Sequence, residues 1–348
     1  MTGNTKKLYV RNLAIGGGAP ISIQSMVNVP AFDTSKIIEQ IHKLSDAGCE
    51  LIRVAVPDNS SAKQLGKIIE ASPIPVCADI HFDWKLAMES LEQGVDKLRL
   101  NPGNLQKKDK LKDITSLALE RKVPIRIGVN SGSLDKKLLK KYGNVTAAAL
   151  FESALNEVEA FEKLGFFNIV ISVKTFSVPI LIKVNKMLSE KFDYPLHLGV
   201  TEAGTLFSGV IRSAVGISNL LAQGIGDTIR VSLTADPLDE VKAGWEILKA
   251  LGLRSRGATV ISCPGCGRTG IDIYALAEKV NTELTNCKKN ITVAVMGCVV
   301  NGPGEARNAD VGCAGGKGEG IVFKKGEIVK KVPESELFTT LMQEIELL

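Results

Sequence analysis

Three cysteines near the C-terminal end have the type and spacing of metal ligands. Cys263 and Cys266 form a Cys-Pro-Gly-Cys pair, a motif shared by redox dithiols, zinc sites and iron–sulfur sites. A redox pair needs no third thiol, and a zinc ribbon needs a second such pair, whereas Cys298 and Cys313 lie fifteen residues apart. An iron–sulfur site needs a third thiolate, which Cys298 can supply. Thr259 stands where a radical S-adenosylmethionine motif would need a cysteine, which excludes that chemistry.

The segment after Cys298 leaves two candidates for a fourth ligand. Cys298 ends an apolar run, ITVAVMG, and the Gly/Pro-rich turn that follows can present N–H groups to cluster sulfides. Glu305 is a hard, weakly held ligand, which would leave one iron open to a substrate oxygen. The same acid equally suits the first turn of a helix, where the helix dipole stabilises it. Cys313 is the competing ligand.

Basic and acidic residues recur at the ends of apolar segments earlier in the chain. Five of these segments contribute a cation, and several contribute an acid or an amide. The residues are Arg53, Asp79, His81, Arg99, Asn101, Arg126, Asn130, Lys174, Glu202, Arg230 and Ser232. A single cation would indicate a structural ion pair, but five at matching places favour an anionic ligand, because guanidinium groups match phosphate oxygens. We therefore expect a phosphorylated small molecule as the substrate.

Eight short β-branched runs, each followed by an amphipathic stretch, predict the elements that carry these residues. The runs are 21–26, 51–56, 75–80, 97–102, 124–129, 169–174, 196–202 and 228–233. Strands that alternate with helices imply a parallel sheet, and eight units in about 250 residues predict a (β/α)₈ barrel of the TIM type. A doubly wound sheet would show its glycine-rich turn after the first strand, whereas Gly16–Gly18 precede it. Barrel active sites lie at the carboxyl ends of the strands.

The chain has 348 residues, which leaves about 100 beyond a barrel. We predict a substrate-binding barrel over 1–252 and a small α+β cluster-binding domain over 253–348. In this second domain the pattern predicts a helix near 271–286, a hairpin that turns at Lys325-Gly326 and a closing helix from Pro333. Cys49 and Cys77 fall within the barrel, where buried cysteine is usually inert core.

Composition excludes several classes of protein. Hydrophobic residues make up 45% and charged residues 23%, as in ordinary globular chains. The net charge of +5 is spread thinly and aromatic residues are only 5%, so nucleic acid is not the expected partner. No signal peptide and no apolar stretch of about 18 residues is present, so we expect no membrane association. Seven cysteines without an export signal indicate reduced thiols in the cytoplasm.

Five motifs occur along the chain in the order IQSM, NPGN, HLGVTEAG, SCPGCGR and GCVVNGPGEARNADVG. In sequence and in order they resemble the motifs of the bacterial 4-hydroxy-3-methylbut-2-en-1-yl diphosphate synthase family, in its short two-domain form. The resemblance covers essentially the whole chain. It implies reductive, two-electron ring opening of 2-C-methyl-D-erythritol 2,4-cyclodiphosphate in the methylerythritol phosphate route to isoprenoids. It also implies electrons from reduced flavodoxin or ferredoxin, and a homodimer in which one subunit's cluster domain closes over the other's barrel.

The resemblance assigns roles to particular residues. It implies a [4Fe-4S] cluster on Cys263, Cys266, Cys298 and Glu305. It implies diphosphate contacts from Arg53, His81, Arg99, Arg126, Lys174, Arg230 and Ser232. Our own mechanistic hypothesis, apart from the resemblance, is that Glu202 or Asp79 is the proton source. Two other classes stay open: a lyase or synthase with a structural metal module, which would work without reductant, and an iron–sulfur carrier or regulator, which would not need the five cations.

Overall fold

The computed structural model describes residues 5–81, 83–101, 108–299, 304 and 306–348. The chain divides into two compact units, Met1–Arg254 and Ser255–Leu348. Arg254 binds back onto the first unit, because its Nη1 donates to the carbonyl oxygen of Ile21 at 2.6 Å and to Glu50 Oε2 at 2.7 Å.

The first unit is an eight-stranded parallel barrel preceded by a short hairpin. The hairpin strands are β1 (Leu8–Val10) and β2 (Leu13–Ile15). The barrel strands are β3 (Ser22–Met26), β4 (Leu51–Ala55), β5 (Val76–Asp79), β6 (Lys97–Leu100), β7 (Ile125–Asn130), β8 (Ile169–Lys174), β9 (His197–Leu198) and β10 (Thr228–Ile229). Their order is β8-β7-β6-β5-β4-β3-β10-β9, and a parallel bridge between Ile171 and Leu196 joins its two ends. The predicted (β/α)₈ barrel is confirmed.

Nine helices surround the described part of the barrel. They are α1 (Thr34–Asp46), α2 (Asn59–Ala71), α3 (Trp84–Glu92), α4 (Leu111–Glu120), α5 (Lys136–Tyr142), α6 (Ala147–Glu162), α7 (Val178–Lys191), α8 (Leu206–Leu221) and α9 (Pro237–Ala250). Side chains cap several of them: Asp58 accepts from the Ser61 amide at the start of α2, and Asp236 accepts from the Leu238 amide in α9. These caps fix where each helix leaves the preceding strand end.

Strand alternation separates the apolar core from the barrel interior. Ile52, Ala78 and Leu98 belong to the core that packs against the helices. Their neighbours Arg53 and Asp79 line a cavity at the carboxyl end of the strands. This is the period-2 pattern of a strand.

The β1–β2 hairpin, which the sequence did not predict, packs apolar side chains against the barrel strands. Val10 and Ile15 form a small buried cluster with Leu51 of β4 and Cys77 of β5. Cys77 is fully buried there, as expected for a core thiol. Leu51 and Cys77 therefore serve packing against the hairpin, whereas the carboxyl ends of the same strands carry charged residues.

The second unit is a five-stranded mixed sheet with helices on one face. Its strands are β11 (Thr259–Ser262), β12 (Thr292–Met296), β13 (Val311–Gly315), β14 (Glu319–Lys324) and β15 (Glu327–Pro333), and its helices are α10 (Ile273–Glu283) and α11 (Leu337–Glu346). β11, β12 and β13 are parallel, and β13, β14 and β15 are antiparallel. The predicted helix, hairpin and closing helix are present. Cys313 lies on β13, which the sequence did not predict.

Candidate functional site

Five cations meet in one cavity at the carboxyl ends of the barrel strands. Strand register explains the meeting, because Asp79, Arg99 and Arg126 pair across β5, β6 and β7, and Asn130 pairs with Lys174 across β7 and β8. The cavity is lined by Arg53, Asp79, His81, Arg99, Arg126, Gly128, Asn130, Ser172, Lys174, Thr201, Arg230 and Ser232. Nine of the residues selected from the sequence are among them.

Two selected residues lie elsewhere. Asn101 is buried just after β6 and is not among the residues that line the cavity. Glu202 is exposed and has a φ of 55°, in the left-handed region that few non-glycine residues adopt. Its neighbour Thr201 lines the cavity instead.

Asp79 is the acidic centre of the cavity. Its Oδ1 accepts from Arg99 Nη1 at 3.1 Å, and its Oδ2 lies 3.3 Å from His81 Nε2 and 3.6 Å from Arg53 Nε. Burial would raise the pKa of Asp79, but Arg53, His81 and Arg99 together outweigh it and hold that pKa well below its usual range. Asp79 is therefore ionised at neutral pH and orients two guanidinium groups.

The cations of the cavity are more numerous than its acids. Burial, reinforced by the charge of Arg53, lowers the pKa of Arg126 to about 9. Burial also lowers the pKa of Lys174 well below its usual value, and the charges of Arg126 and Arg230 add to the effect. Crowding buried cations in this way costs stability unless an anion compensates them. The charge and burial of the cavity therefore suit a multiply charged anion.

Part of the donor capacity of these cations is unused within the described chain. Arg126 Nη1 donates to Ser172 Oγ at 3.4 Å, while its Nε is buried without a hydrogen-bond partner among the residues that the structure describes. With its amide in the orientation that satisfies both ends, Asn130 accepts from Arg99 Nη2 at 3.3 Å. Ser172 was missed from the sequence, although it stands two residues before Lys174 and therefore faces the same side of β8.

Two glycines make room for the cations. A Cβ at Gly128 would lie 2.7 Å from Arg99 Nε, and a Cβ at Gly199 would lie 2.7 Å from Lys174 Nζ. Each glycine therefore lets a long side chain from the neighbouring strand cross the barrel interior. For Gly128, the sequence signal was a glycine within a strand rich in isoleucine and valine, which often marks a close approach.

The three selected cysteines lie at one edge of the second sheet. Cys263 follows β11 and Cys298 follows β12, and these strands are parallel neighbours. The backbone N–H of Gly297 donates to Cys263 Sγ at 3.2 Å. The CxxC loop and the segment that carries Cys298 therefore meet at the carboxyl ends of adjacent strands.

The CxxC loop favours a thiolate at its exposed end. Cys266 is exposed, and its N–H donates to Thr269 Oγ1 at 2.9 Å. The backbone N–H of Arg268 and the charge of the Arg268 guanidinium lower the pKa of Cys266. A thiolate with N–H donors around it matches the requirements of an iron–sulfur ligand.

Of the two candidates for the fourth ligand, the structure disfavours Cys313. Glu305 lies outside the described residues. Cys313 is fully buried among apolar side chains, and burial raises the pKa of its thiol to about 12, so it is a poor thiolate donor. Within the described ranges no three His, Cys, Asp or Glu side chains could hold one metal ion. A four-iron cluster does not require such a group, because each of its ligands binds a different iron.

None of the described helices has the length and apolarity needed to cross a membrane.

Comparison with known proteins addresses the chain as a whole. Residues 5–245 match the family described as the GcpE TIM-barrel domain, and residues 259–347 match the GcpE protein C-terminal domain. The 7,8-dihydropteroate synthase of Vibrio fischeri has a similar structure, with a TM-score of 0.51 and 15% identity over 71% of this chain and 99% of that one. That likeness concerns the barrel fold alone.

Full-length relatives are much closer in sequence. The 4-hydroxy-3-methylbut-2-en-1-yl diphosphate synthase (flavodoxin) of Geobacter sulfurreducens is 55% identical over 346 residues, which cover 99% of this chain and 98% of that protein. The enzyme of the same name from Caldanaerobacter subterraneus is 55% identical over 342 residues, covering 98% and 96%. The chain therefore belongs to the GcpE family of 4-hydroxy-3-methylbut-2-en-1-yl diphosphate synthases.

Proposed function

We propose that this chain opens the ring of 2-C-methyl-D-erythritol 2,4-cyclodiphosphate and reduces it to (E)-4-hydroxy-3-methylbut-2-enyl diphosphate, in the methylerythritol phosphate pathway. The observation that carries the proposal is the convergence of Arg53, Arg99, Arg126, Lys174 and Arg230 on one cavity. Such a cavity suits a diphosphate, and the relatives carry the name of the corresponding synthase.

The charge balance of the reaction fits the excess of cations. The cyclic dianion takes up two electrons and one proton, and gives a linear diphosphate trianion and water. Breaking the ring C–O bond moves negative charge onto a diphosphate oxygen. Arg126 and Lys174, buried and poor in compensating acids, are placed to stabilise that charge as it develops.

The two acids selected as proton sources receive different roles. Asp79 is held ionised by three basic neighbours, so we assign it to orienting Arg53, Arg99 and His81. Glu202 is exposed and stands beside the cavity residue Thr201, in a strained backbone conformation that is typical of functional positions. Glu202 therefore remains the proposed source of the proton that the leaving hydroxyl takes away as water.

Electrons require a group that no side chain supplies. Cys263, Cys266, Cys298 and Glu305 are the proposed ligands of a [4Fe-4S] cluster, which when bound would pass the electrons to the substrate. The N–H of Gly297 on Cys263 Sγ supports this assignment, because such donors stabilise thiolates at cluster sites. The relatives' name includes flavodoxin, so we propose reduced flavodoxin, with ferredoxin as the alternative donor.

A homodimer is the proposed assembly, and helix α8 offers a surface for it. Four apolar side chains stand exposed on this helix: Leu206, Phe207, Ile211 and Val215. Phe207 is 81% exposed, which is unusual for so large an apolar side chain unless a partner covers it. If subunits share active sites, mixing a Cys298→Ser chain with a Lys174→Ala chain will restore part of the activity. If each chain uses its own two domains, mixing restores none.

The test of the function is turnover by anaerobically purified protein. We expect the cyclodiphosphate to be converted to the linear hydroxymethylbutenyl diphosphate with reduced flavodoxin, and no conversion without a reductant. Iron and sulfide analysis should give close to four of each per chain, the composition of the cluster. Turnover without reductant, or zinc in place of iron, would favour a lyase or synthase with a structural metal module.

A further inference from the structure

Glu240 is a buried carboxylate that the proposed chemistry does not use. It lies in the first turn of α9 and is 4% exposed. Buried carboxylates are rare unless they are paired and hydrogen-bonded. Glu240 is not among the residues that line the cavity, so its charge serves something other than direct contact with a ligand.

Its side chain bonds the cavity residue Arg230 and two groups outside the cavity lining. Arg230 donates from Nε to Oε2 at 3.3 Å and from Nη2 to Oε1 at 3.4 Å. The backbone N–H of Leu233 donates to Oε1 at 3.0 Å, and Ser25 Oγ donates to Oε2 at 3.1 Å. One side chain therefore holds the guanidinium of Arg230 and the end of the segment that contains Ser232.

The third guanidinium nitrogen of Arg230, Nη1, does not bond Glu240. Its Nη1 faces Met26 Sδ at 3.6 Å, and the same sulfur accepts from Arg53 Nε at 3.1 Å and Nη2 at 2.9 Å. A thioether is a weak acceptor, which a diphosphate oxygen can replace at little cost. The carboxylate of Glu240 is a strong acceptor and keeps the other edge of the guanidinium fixed.

We propose that Glu240 is the positioning residue that aims Arg230, and with it the 230–233 segment, at the diphosphate. The inference rests on the proposed function for the identity of the anion. β10 is only two residues long, so Arg230 and Ser232 follow the regular part of the strand. The bonds from Glu240 to Arg230 and to the Leu233 N–H supply the fixation that a longer strand would give.

The direction in which Glu240→Gln changes anion affinity distinguishes a positioning role from a simple effect of charge. Glu240→Gln removes a negative charge beside a cationic cavity, so bulk electrostatics alone would tighten anion binding. If Glu240 positions Arg230, the amide turns a donor toward the guanidinium, Arg230 is misplaced, and binding weakens. Glu240→Asp keeps the charge but shortens the reach, and we expect it to weaken binding as well.

The experiment measures inorganic diphosphate binding to the anaerobic holoenzyme by calorimetry, alongside KM and kcat for the cyclodiphosphate. We expect Glu240→Gln to weaken diphosphate about tenfold and to raise KM more than it lowers kcat, since a charge-assisted contact is lost. Ser25→Ala, which removes a partner of Glu240 that is not on Arg230, should stay within about twofold. If the Glu240→Gln variant does not fold, the same measurements are made on Glu240→Asp, for which we also expect weaker binding.

A double-mutant cycle with Arg230→Met tests whether Glu240 acts through Arg230. We expect Glu240→Gln to change diphosphate affinity by less than about twofold in that background. Equal effects in both backgrounds, or diphosphate binding to the Gln variant that is unchanged or tighter, would overturn the inference and leave the proposed function standing. A wild-type protein that neither binds diphosphate nor converts the cyclodiphosphate would refute both.

Discussion

The two candidate sites are built in opposite ways. In the barrel, four of the five cations project from strands, most are buried, and Asp79 and Glu240 hold three of the five in place. At the cysteine edge of the second unit, the sulfurs follow the ends of β11 and β12, and Cys266 is exposed. We infer that the barrel site is preorganised for its anion, whereas the cysteine edge takes its final geometry with the group that it binds.

The largest effect is expected at the cysteine edge. Cys298→Ser replaces a soft thiolate with a hard hydroxyl, so we predict loss of iron and a fall in turnover of at least ~10²-fold. Cys287→Ser is the matched control, because Cys287 lies after α10 and beside Gly257, which precedes the amino end of β11, whereas Cys263 and Cys298 follow the carboxyl ends of β11 and β12. Iron analysis and turnover measure the effect. Full iron content in the Cys298 variant would remove this residue from the ligand set.

In the barrel, the variant that corresponds to Cys298→Ser is Lys174→Met, which removes one cation from the cavity. We expect kcat/KM to fall by roughly 10²–10³, because a buried cation at the diphosphate is lost. Folding stability should rise, because burial already holds the pKa of Lys174 far below that of an unfolded lysine. The exposed Lys183 on α7 provides the control, Lys183→Met, which should change neither quantity. A Lys174 variant with normal kcat/KM would exclude contact with the diphosphate.

Preorganisation itself is tested at a glycine. Gly128→Ala puts a Cβ 2.7 Å from Arg99 Nε, and Arg99 is already bound to Asp79, so the guanidinium must move. We predict a loss of about tenfold in kcat/KM, the usual cost of one charge-assisted hydrogen bond. Gly132→Ala meets no atom within 4 Å and should stay near wild type. Equal kinetics for the two variants would show that the cavity tolerates displaced cations.

The smallest effect on activity, but a clear one on stability, is expected at Lys97. Burial lowers its pKa to about 8 from an ordinary 10.5, and its Nζ has no hydrogen-bond partner within the described part of the chain. The unfolded chain therefore binds more protons between these values, and stability rises with pH across that window. Lys97→Met should reduce the rise, of which the buried Lys174 keeps a part, and should stabilise the protein at pH 7 by roughly 2–3 kcal/mol.

Unfolding by denaturant at several pH values measures this effect. The exposed Lys112→Met variant is the control and should keep the wild-type pH dependence. If Lys97→Met destabilises the protein at pH 7, the lysine has a partner that compensates its charge.

The sequence predicted the barrel well because its strands are short, largely apolar runs, several of which carry a charged residue at or near one end. In β4, the apolar Leu51 is followed two residues later by Arg53, which lines the cavity. The strand β13 was missed because its core has small residues: a Cβ at Gly312 would lie 2.5 Å from Phe323 Cζ. Its glycines, which make room for that ring, obscured the strand pattern.

The selected cations were found because residue type and strand register suffice to place them. Glu240 was not, because an acid in the first turn of a helix is ordinary, and only tertiary packing brings α9 against Arg230. The roles of Asp79 and Glu202 were equally beyond the sequence. Both are acids near strand ends, and only the three basic groups around Asp79 distinguish them.

The central claim is that the anion bound by the barrel cations is the molecule reduced at the cysteine edge. The most direct measurement is the electron paramagnetic resonance spectrum of the reduced, anaerobically purified protein, with and without the cyclodiphosphate. We predict a cluster signal that the cyclodiphosphate changes in the wild type, and does not change in Lys174→Met at the same concentration. A wild-type signal that is indifferent to the cyclodiphosphate would contradict the account.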